Sequence, residues 1–351
     1  MSTKKVCITG ASGFIASHIV QQCLGKGYIV HGTVRDANNA TKTKHLLGLP
    51  NASTHLKLFS ADLADVNIDT GEASDELKET LAQAFDGCET IMHTATPVKM
   101  GAKDGEKEIY EPGMAGMKAV LNLLVTSSSL KTFVFTSSMS AIAPQPEPDI
   151  KTEEHWSEAE KQKSKGSWYG ACKTDQERLL WKLTESEQIP SRVRCIAICP
   201  TAVFGPMLQA QVNTTCGWGL SLFKDGKNSS GGAAADDSMS VVDVRDCAAL
   251  HIAAMENVNA TGRYMCISGD RLDSEGPTST LRESTHWNNI FKLVKELYPK
   301  MPDVKPSETM CRPTRFDMQR AHTLIPLDQW RSMREVLADL LQEGQKRGIL
   351  E

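Results

Sequence analysis

The 351-residue sequence lacks a long hydrophobic run, an excess of basic residues and a signal-peptide pattern before its first apolar segment. No apolar segment approaches the roughly 20 residues that a membrane-spanning helix requires, so we expect no membrane association. With 39 basic residues, 43 acidic residues and a net charge of −4, the chain has no electrostatic feature that attracts nucleic acid. Without a signal peptide, a cytoplasmic location is the expectation.

The ten cysteines form neither a metal-binding nor a disulfide pattern. The CxxC spacing that is typical of structural zinc sites does not occur. The segment "CIAIC" places Cys195 and Cys199 on one face of a predicted strand, where both pack most simply as small hydrophobic residues. We therefore expect no metal site.

Strand-like and helix-like segments alternate through the first half of the chain. Short apolar runs predict strands over 4–9, 28–34, 55–59, 89–93, 131–136 and 193–199. Amphipathic segments predict helices, notably over 14–25, 74–86, 113–128 and 167–187. This alternation predicts an α/β protein with a doubly wound parallel sheet, in which ligands bind beyond the carboxyl ends of the strands.

The segment "VCITGASGFIASHIV" joins the first predicted strand to the first predicted helix through small residues. Gly10 permits a tight turn, Gly13 permits close approach of a pyrophosphate, and Ala16 lets the helix pack on the strand. An ordinary strand-to-helix turn has the same appearance. The surrounding alternation favours a dinucleotide site of the Rossmann type.

The end of the second strand, "HGTVRD", places Arg35 where dinucleotide-binding proteins distinguish their cofactors. An acidic residue there hydrogen-bonds the ribose of NAD, whereas an arginine accommodates the 2′-phosphate of NADP. Asp36 is adjacent and also within reach of a ribose. Arg35, with Lys42 and Lys44 downstream, favours NADP(H).

Two further motifs contain candidate catalytic side chains, one at the start of a predicted helix and one after a predicted strand. In "SWYGACK", Tyr169 and Lys173 are four residues apart and share one helix face, so the lysine can stabilise a tyrosine phenolate. In "VFTSSMSA", Ser138 lies just past a strand and can hydrogen-bond a substrate oxygen. Each motif is common by itself. With the charge of Lys173 beside it, Tyr169 is the expected donor of a proton to a carbonyl oxygen as hydride reaches the carbonyl carbon.

Beyond residue 200 the pattern changes to short strands and helices, separated by "PTAVFGP" and the polar segment 224–237. We predict a nucleotide-binding domain over 1–200 and a smaller α/β substrate lobe over 201–351, with the boundary loosely defined and interleaving of the two allowed. The chain ends with a predicted amphipathic helix near 328–347. The role of the 224–237 loop and the oligomeric state are not predicted.

In combination these motifs resemble the extended short-chain dehydrogenase/reductase superfamily. The similarity is closer to its dihydroflavonol 4-reductase-like branch, which includes cinnamoyl-CoA reductases and microbial carbonyl reductases. The segments "TGASGFIASHIV", "ADLAD", "HTATPV", "FVFTSSMSA", "YGACK", "CPTAVFGP" and "VVDVRDCAALHIAA" carry the resemblance in colinear order.

The resemblance implies a catalytic triad of Ser138, Tyr169 and Lys173. The implied NADP(H) contacts are Gly10, Ser12, Gly13, Phe14 and Ile15 at the pyrophosphate, Arg35 and Lys42 at the 2′-phosphate, Asp62 and Leu63 at the adenine, Thr94, Ala95 and Thr96 along the ribose, Tyr169 and Lys173 at the nicotinamide ribose, Pro200, Thr201 and Val203 beside the nicotinamide, and Thr215 at a phosphate. The candidates for the substrate pocket, which loops line, are Val98, Met100, Ser140, Phe204, Gln209 and Phe223.

Three positions depart from the pattern of this branch. Cys172 replaces a serine before the catalytic lysine, but it points off the Tyr169–Lys173 face. No asparagine stands at an obvious place for a proton relay in "EPGMAGMKAV". Ala143 replaces an asparagine that binds flavonoid hydroxyls in plant dihydroflavonol reductases. An apolar aldehyde or ketone is therefore the expected small-molecule substrate, in preference to a polyhydroxylated flavonoid.

Two other functions are compatible with the same fold. A nucleotide-sugar epimerase or dehydratase commonly has an acidic residue after the second strand, where this chain has Arg35. A non-catalytic NADP-binding sensor tends to lose the tyrosine–lysine pair, which is intact here. Both observations favour the reductase hypothesis.

Overall fold

A computed structural model describes residues 4–96, 101–228, 232, 234–268, 270–271 and 279–351. The strands in chain order are β1 (Lys5–Thr9), β2 (Ile29–Val34), β3 (Leu56–Ser60), β4 (Thr90–His93), β5 (Thr132–Thr136), β6 (Ile150–Lys151), β7 (Arg194–Pro200), β8 (Ala202–Phe204), β9 (Ser238–Met239), β10 (Val241–Asp243), β11 (Gly262–Cys266), β12 (Asp270–Arg271), β13 (Leu281–Glu283), β14 (Thr285–His286) and β15 (Arg315–Asp317).

The helices in chain order are α1 (Phe14–Gly25), α2 (Ala40–Leu47), α3 (Ala52–His55), α4 (Asp75–Phe85), α5 (Glu111–Leu124), α6 (Ala159–Ser164), α7 (Trp168–Glu185), α8 (Thr214–Asp225), α9 (Val244–Glu256), α10 (Trp287–Leu297), α11 (Gln319–His322) and α12 (Met333–Lys346). Within the described ranges, none of these helices is long and apolar enough to cross a membrane.

Seven parallel strands form the central sheet, in the order β11-β7-β5-β4-β1-β2-β3. The strand order reverses between β1 and β4, because the chain continues from β1 to β2 on one side and later adds β4 on the other. In doubly wound sheets the ligand crevice lies at this reversal. The predicted fold class is confirmed.

The central strands are apolar because helices cover both faces of the sheet. Every residue of β4 and β5 is buried, and β7 is buried from its second residue onward. Helices α1 and α9 pack against each other on this sheet. Strands buried on both faces have continuous apolar sequences in place of alternating apolar and polar residues. For this reason the bounds predicted for six of the seven strands of the central sheet lie within one residue of the observed bounds at each end.

A smaller lobe contains a four-stranded sheet in the order β12-β13-β15-β6, with the pairs β10–β8 and β14–β9 beside it. Its apolar core lies between α8, α10 and α12. Strand β6 precedes residue 200 and joins this lobe, whereas β11 follows residue 200 and joins the central sheet. Segments on both sides of residue 200 therefore contribute to both lobes.

The cysteines lie mostly in the interior. All ten are free thiols, nine of them buried and Cys311 partly exposed. Cys195 and Cys199 are 2% and 0% exposed within β7, so both pack as apolar core residues.

The contact between α8 and α12 depends on a missing side chain. A Cβ at Gly219 would lie 2.3 Å from Leu340 Cδ2, whereas a Cβ at Gly217 on the same helix would meet nothing closer than 3.9 Å. We expect Gly219→Ala to lower the free energy of unfolding by about 1–3 kcal/mol through overpacking. Gly217→Ala, the matched control, should be neutral or stabilise by about 0.5–1 kcal/mol through helix propensity. Urea denaturation of both variants measures the difference, and equal effects would contradict this account.

Candidate active site

The turn after β1 presents backbone N–H groups at the sheet reversal. Gly10 has φ +65°, and a Cβ there would lie 3.1 Å from the Cα of Ala95. Gly13 stands at the start of α1, where a Cβ would lie 3.1 Å from the carbonyl oxygen of Gly10. No side chain caps α1, so its first N–H groups, at Phe14 and Ile15, face outward. This geometry suits the phosphate groups of a ligand.

The end of β4 is held against the end of β1 by hydrogen bonds. The Thr9 hydroxyl lies 2.8 Å from His93 Nδ1 and accepts the N–H groups of Thr94 and Ala95 at 3.2 and 3.3 Å. The Thr94 hydroxyl donates to the Thr9 carbonyl oxygen. These bonds place Ala95 against Gly10 and lead the chain on to Thr96.

Two cationic side chains lie beyond β2. Arg35 is exposed at its end, and the ion pairs found in the described ranges do not include it. Lys42 is exposed on α2, whose start Asn39 caps by accepting the Lys42 N–H, and its ammonium donates to the Gln211 side chain. The guanidinium of Arg35 is thus available to an anion.

Asp62 and Leu63 follow β3 and are half-buried. An Asp62 carboxylate oxygen accepts the N–H of Ala64 at 3.0 Å, and Leu63 packs over Gly116 of α5. Ser12 is half-buried and Gly13 exposed in the turn after β1. These residues lie at the same edge of the sheet as the glycine turn.

Tyr169 and Ser138 meet at the carboxyl edge of the sheet. Tyr169 lies in the first turn of α7, and its hydroxyl is close enough to that of Ser138 for the two to interact. Burial raises the pKa of Tyr169 to about 12, and the nearby Ser138 hydroxyl opposes this rise only in part. The phenol therefore carries its proton at neutral pH, as a proton donor must.

Lys173 lies one turn beyond Tyr169, and 2% of its surface is exposed. Its ammonium donates to the Thr96 hydroxyl and the Thr136 carbonyl oxygen, each at 2.7 Å, and lies 4.8 Å from the centre of the Phe135 ring. Burial lowers the pKa of Lys173 to about 8, an effect that the nearby Cys172 and Glu177 counteract. The amine is thus mostly charged at pH 7 and stabilises negative charge nearby.

Ser138 begins a short turn, Met139–Ala141, in which its hydroxyl accepts the N–H of Ser140 at 3.1 Å. The carbonyl oxygen of Ser140 accepts the hydroxyl of Ser157 at 2.6 Å and the amide of Gln162 at 2.7 Å. Ser157 also accepts the N–H of Ala143 at 2.7 Å. Neighbouring segments thus fix the turn on both sides of Ser140.

The segment after β7 is anchored by its threonines. Following the buried Pro200, Thr201 donates its hydroxyl to the Ser240 carbonyl oxygen at 2.7 Å. Thr215 donates to the carbonyl oxygen of Val203 at 2.7 Å. The Thr215 hydroxyl proton therefore serves the protein's own backbone, and a phosphate would have to displace this bond.

The substrate-pocket candidates lie in different surroundings. Val98 and Met100 lie outside the described residues. Phe204 and Phe223 are 1% and 0% exposed, within the apolar core of the smaller lobe. Gln209 lines a cavity of about 670 Å³ between α2, the 207–210 segment and α12, and Ser138, Tyr169 and Lys173 are not among its lining residues. Ser140 is half-buried in the Ser138 turn.

Sequence reasoning missed two residues that hold the site together. Gln162 links the Ser138 turn to α7, because its other amide atom accepts the Thr174 hydroxyl at 2.9 Å. Glu177 lies under the same turn and is fully buried. Its position, four residues after Lys173, was the available signal, since it continues the Tyr169–Lys173 face of the helix.

A possible group of metal ligands lies elsewhere, at Asp236, His286 and Cys311. Nδ1 of His286 accepts the N–H of Asn288 at 3.1 Å, so its Nε2 holds the proton and faces Asp236 at 3.5 Å. The Asp236 carboxylate also accepts the Cys311 N–H. Among the described residues, His286 Nε2 is buried and has no hydrogen-bond partner.

The fold and the site together define the class: a dinucleotide-type α/β protein with serine, tyrosine and lysine at the carboxyl edge of its sheet. The profile of the NAD dependent epimerase/dehydratase family matches residues 6–267, and the chain belongs to that family. The resemblance to the dihydroflavonol 4-reductase-like branch is also confirmed by the relatives below.

Among curated proteins, dihydroflavonol 4-reductase of Gerbera hybrida is 35% identical over 303 residues, covering 85% of this chain and 74% of the relative. Cinnamoyl-CoA reductase CAD2 of Medicago truncatula is 33% identical over 300 residues, covering 84% and 81%. Among solved structures, vestitone reductase from alfalfa aligns with a TM-score of 0.75 at 24% identity over 99% of both chains. Gre2 from Candida albicans, in complex with NADPH, gives 0.77 at 23% identity over 98% and 99%.

The buried charge of Lys173 makes a prediction about stability. Its pKa of about 8 lies below the ordinary value of 10.5. Below pH 8 the amine is charged in both the folded and the unfolded state, and its burial lowers the free energy of unfolding by about 3 kcal/mol. We expect Lys173→Met to raise the free energy of unfolding at pH 7 by about 1–2 kcal/mol, since lost hydrogen bonds offset part of the gain. The gain fades between pH 8 and 10.5, where the folded state releases the proton first.

Chemical denaturation at pH 7 and at pH 10.5 measures this difference. Lys131→Met, at an exposed lysine paired with Glu89, is the matched control and should change stability by no more than about 0.5 kcal/mol. An unchanged stability gain of Lys173→Met at both pH values would contradict the assigned cost.

Proposed function

We propose that this chain is an NADPH-dependent reductase that delivers hydride to the carbonyl carbon of a small aldehyde or ketone, with Tyr169 as proton donor. Family membership supports an NAD(P)-dependent oxidoreductase, and the relatives named above are reductases. The observation that carries the proposal is that Ser138, Tyr169 and the buried Lys173 ammonium lie at one edge of the sheet, where Lys173 donates to the Thr136 carbonyl oxygen at the end of β5.

The glycine turn fits a dinucleotide. Side chains at Gly10 and Gly13 would fill the space beside the uncapped start of α1, and Ala95 closes the same surface from β4. Phosphate oxygens need such exposed N–H groups at close range. When bound, the dinucleotide supplies the hydride.

The residues of the triad handle the proton. As the carbonyl carbon accepts hydride, negative charge develops on its oxygen. Tyr169 donates its proton to that oxygen, and Ser138 hydrogen-bonds it. Lys173 stabilises the phenolate that remains on Tyr169, because its charge lies in a site with little water. Solvent then returns the proton to Tyr169.

Arg35 supports NADP(H) over NAD(H). Its exposed guanidinium follows β2 and suits the 2′-phosphate, and Lys42 adds a second cation after releasing Gln211. The Asp36 carboxylate already accepts a hydrogen bond from the nearby Asn38 N–H at 2.9 Å. A ribose hydroxyl would compete with that bond.

The surroundings of Ala143 support an apolar substrate. Its N–H is already taken by Ser157, and its methyl side chain offers no hydrogen bond. A site without a polar partner gains little from a polyhydroxylated flavonoid. Simple aromatic and aliphatic aldehydes and ketones fit this position better.

Loss of NADPH absorbance with a panel of aldehydes, ketones and dihydroflavonols tests the reaction. We expect turnover of aldehydes or ketones but little of dihydroflavonols, and Tyr169→Phe should reduce kcat at least about 100-fold, because general acid catalysis is worth 10²–10⁴-fold. NADPH affinity should stay within about twofold. Tyr28→Phe, at a tyrosine bonded to Glu256 away from the site, is the control and should retain full activity.

Near-normal activity of Tyr169→Phe would rule out the proton-donor role. Tight NADPH binding without turnover of any compound would support a sensor. Conversion of a nucleotide sugar without net NADPH consumption would support an epimerase or dehydratase.

Cofactor preference tests Arg35. In Arg35→Asp we expect kcat/KM for NADPH to fall about 10- to 100-fold, as expected for a lost charged hydrogen bond of about 1.5–3 kcal/mol, while kcat/KM for NADH rises. Lys165→Asp, at an exposed lysine after α6, makes the same charge change and should leave the preference intact. Equal loss with both cofactors would show that the 2′-phosphate binds elsewhere.

A further inference from the structure

Glu177 is a buried acid directly beneath the residues assigned to catalysis. It follows Tyr169 and Lys173 at intervals of four on α7, and its side chain is 0% exposed. A carboxylate in such a place is costly unless it is paired and its oxygens are hydrogen-bonded. The hydrogen-bond partners of Glu177 therefore show which parts of the structure it connects.

Both oxygens of Glu177 are occupied. One accepts Arg263 Nε at 2.6 Å and the Trp181 indole N–H at 3.1 Å. The other accepts the Ser137 hydroxyl at 2.6 Å and lies 3.4 Å from Arg263 Nη2. Ser137 immediately precedes Ser138, so the carboxylate binds the residue next to the start of the Ser138 turn.

Arg263, on β11, binds the other end of the same turn. Its Nη2 donates to the Ala141 carbonyl oxygen at 3.1 Å, and its Nη1 donates to the carbonyl oxygens of Glu153 and His155 at 2.7 and 2.6 Å. The guanidinium lies 3.8 Å from the centre of the Trp156 ring. Residues 137 and 141 are thus fastened to one ion pair that is anchored in α7 and β11.

We propose that the Glu177–Arg263 ion pair is a positioning device for the reduction, which sets the Ser138 turn at the correct distance from Tyr169 and Lys173. The inference rests on the proposed function. Glu177 is a positioning residue, since it acts through Ser137 and Ser138. Such a device is needed because Tyr169 lies on a helix and Ser138 lies after the end of a strand. The distance between these two elements is set by non-covalent contacts.

Two variants test this role. Glu177→Gln keeps the shape but removes the charge that holds Arg263. Ser137→Ala leaves the ion pair and the Arg263–Ala141 bond intact and removes only the bond from Glu177 to Ser137, so it decides the question if Glu177→Gln fails to fold. Because small misplacements of reacting groups cost up to about 100-fold, we expect kcat per folded molecule to fall about 10- to 100-fold in the first variant and about 10-fold in the second.

The Kd for NADPH and the KM for the aldehyde should stay within about twofold of wild type, which a general loss of structure would not allow. Circular dichroism at the assay temperature gives the folded fraction. Glu89→Gln removes the charge of an exposed pair with Lys131, the two residues lying just before β4 and β5, and should retain wild-type kcat.

Wild-type kcat in folded Ser137→Ala, or effects on Kd and KM with kcat unchanged, would overturn the positioning role and leave the proposed function standing. A wild-type protein that reduces no carbonyl compound would overturn the proposed function and the positioning role with it. The two failures are distinguished by the wild-type assay alone.

Discussion

Parallel pairing of β1, β4 and β5 is the constraint on which the rest of the site depends. Their register brings Thr9, His93 and Thr136 to one edge of the sheet. Three segments of the candidate site extend from these ends: the glycine turn from β1, Thr96 from β4, and Ser138 from β5. Because the hydrogen bonds of the ladder fix this alignment, loops of different sequence meet within reach of one another.

Helix α7 brings its charges to that edge from outside the sheet. Lys173 binds the carbonyl end of β5 and the segment after β4, whereas Glu177 binds the turn after β5 through Ser137. Both side chains are buried; Lys173 donates two hydrogen bonds and both oxygens of Glu177 accept from protein donors, which offsets part of the cost of removing charge from water. A helix held at two such points cannot slide along its axis without breaking one of them.

Much of the fold was predictable, because a parallel strand that is buried on both faces has a continuous apolar sequence. The glycine turn, Arg35 and the Tyr169–Lys173 spacing were readable for the same reason: each is a local pattern with a local cause. Strand β11 and the Glu177–Arg263 pair were not, because they join residues far apart in the chain, and a charge in a sequence does not show its partner. The burial of Phe204 and Phe223 likewise depends on how α8, α10 and α12 pack, which periodicity does not define.

The late position of β11 has a consequence for synthesis of the chain. Strand β7 ends at Pro200, but its neighbour β11 begins at Gly262. The ribosome therefore synthesises residues 201–261 before it reaches β11. Until those residues leave the ribosome, β7 remains an edge strand of apolar sequence with unpaired N–H and C=O groups, a surface that promotes association between chains. A fragment that ends at residue 200 would keep this edge permanently. The nucleotide-binding half is therefore not a unit that can be detached, and the late strand completes it.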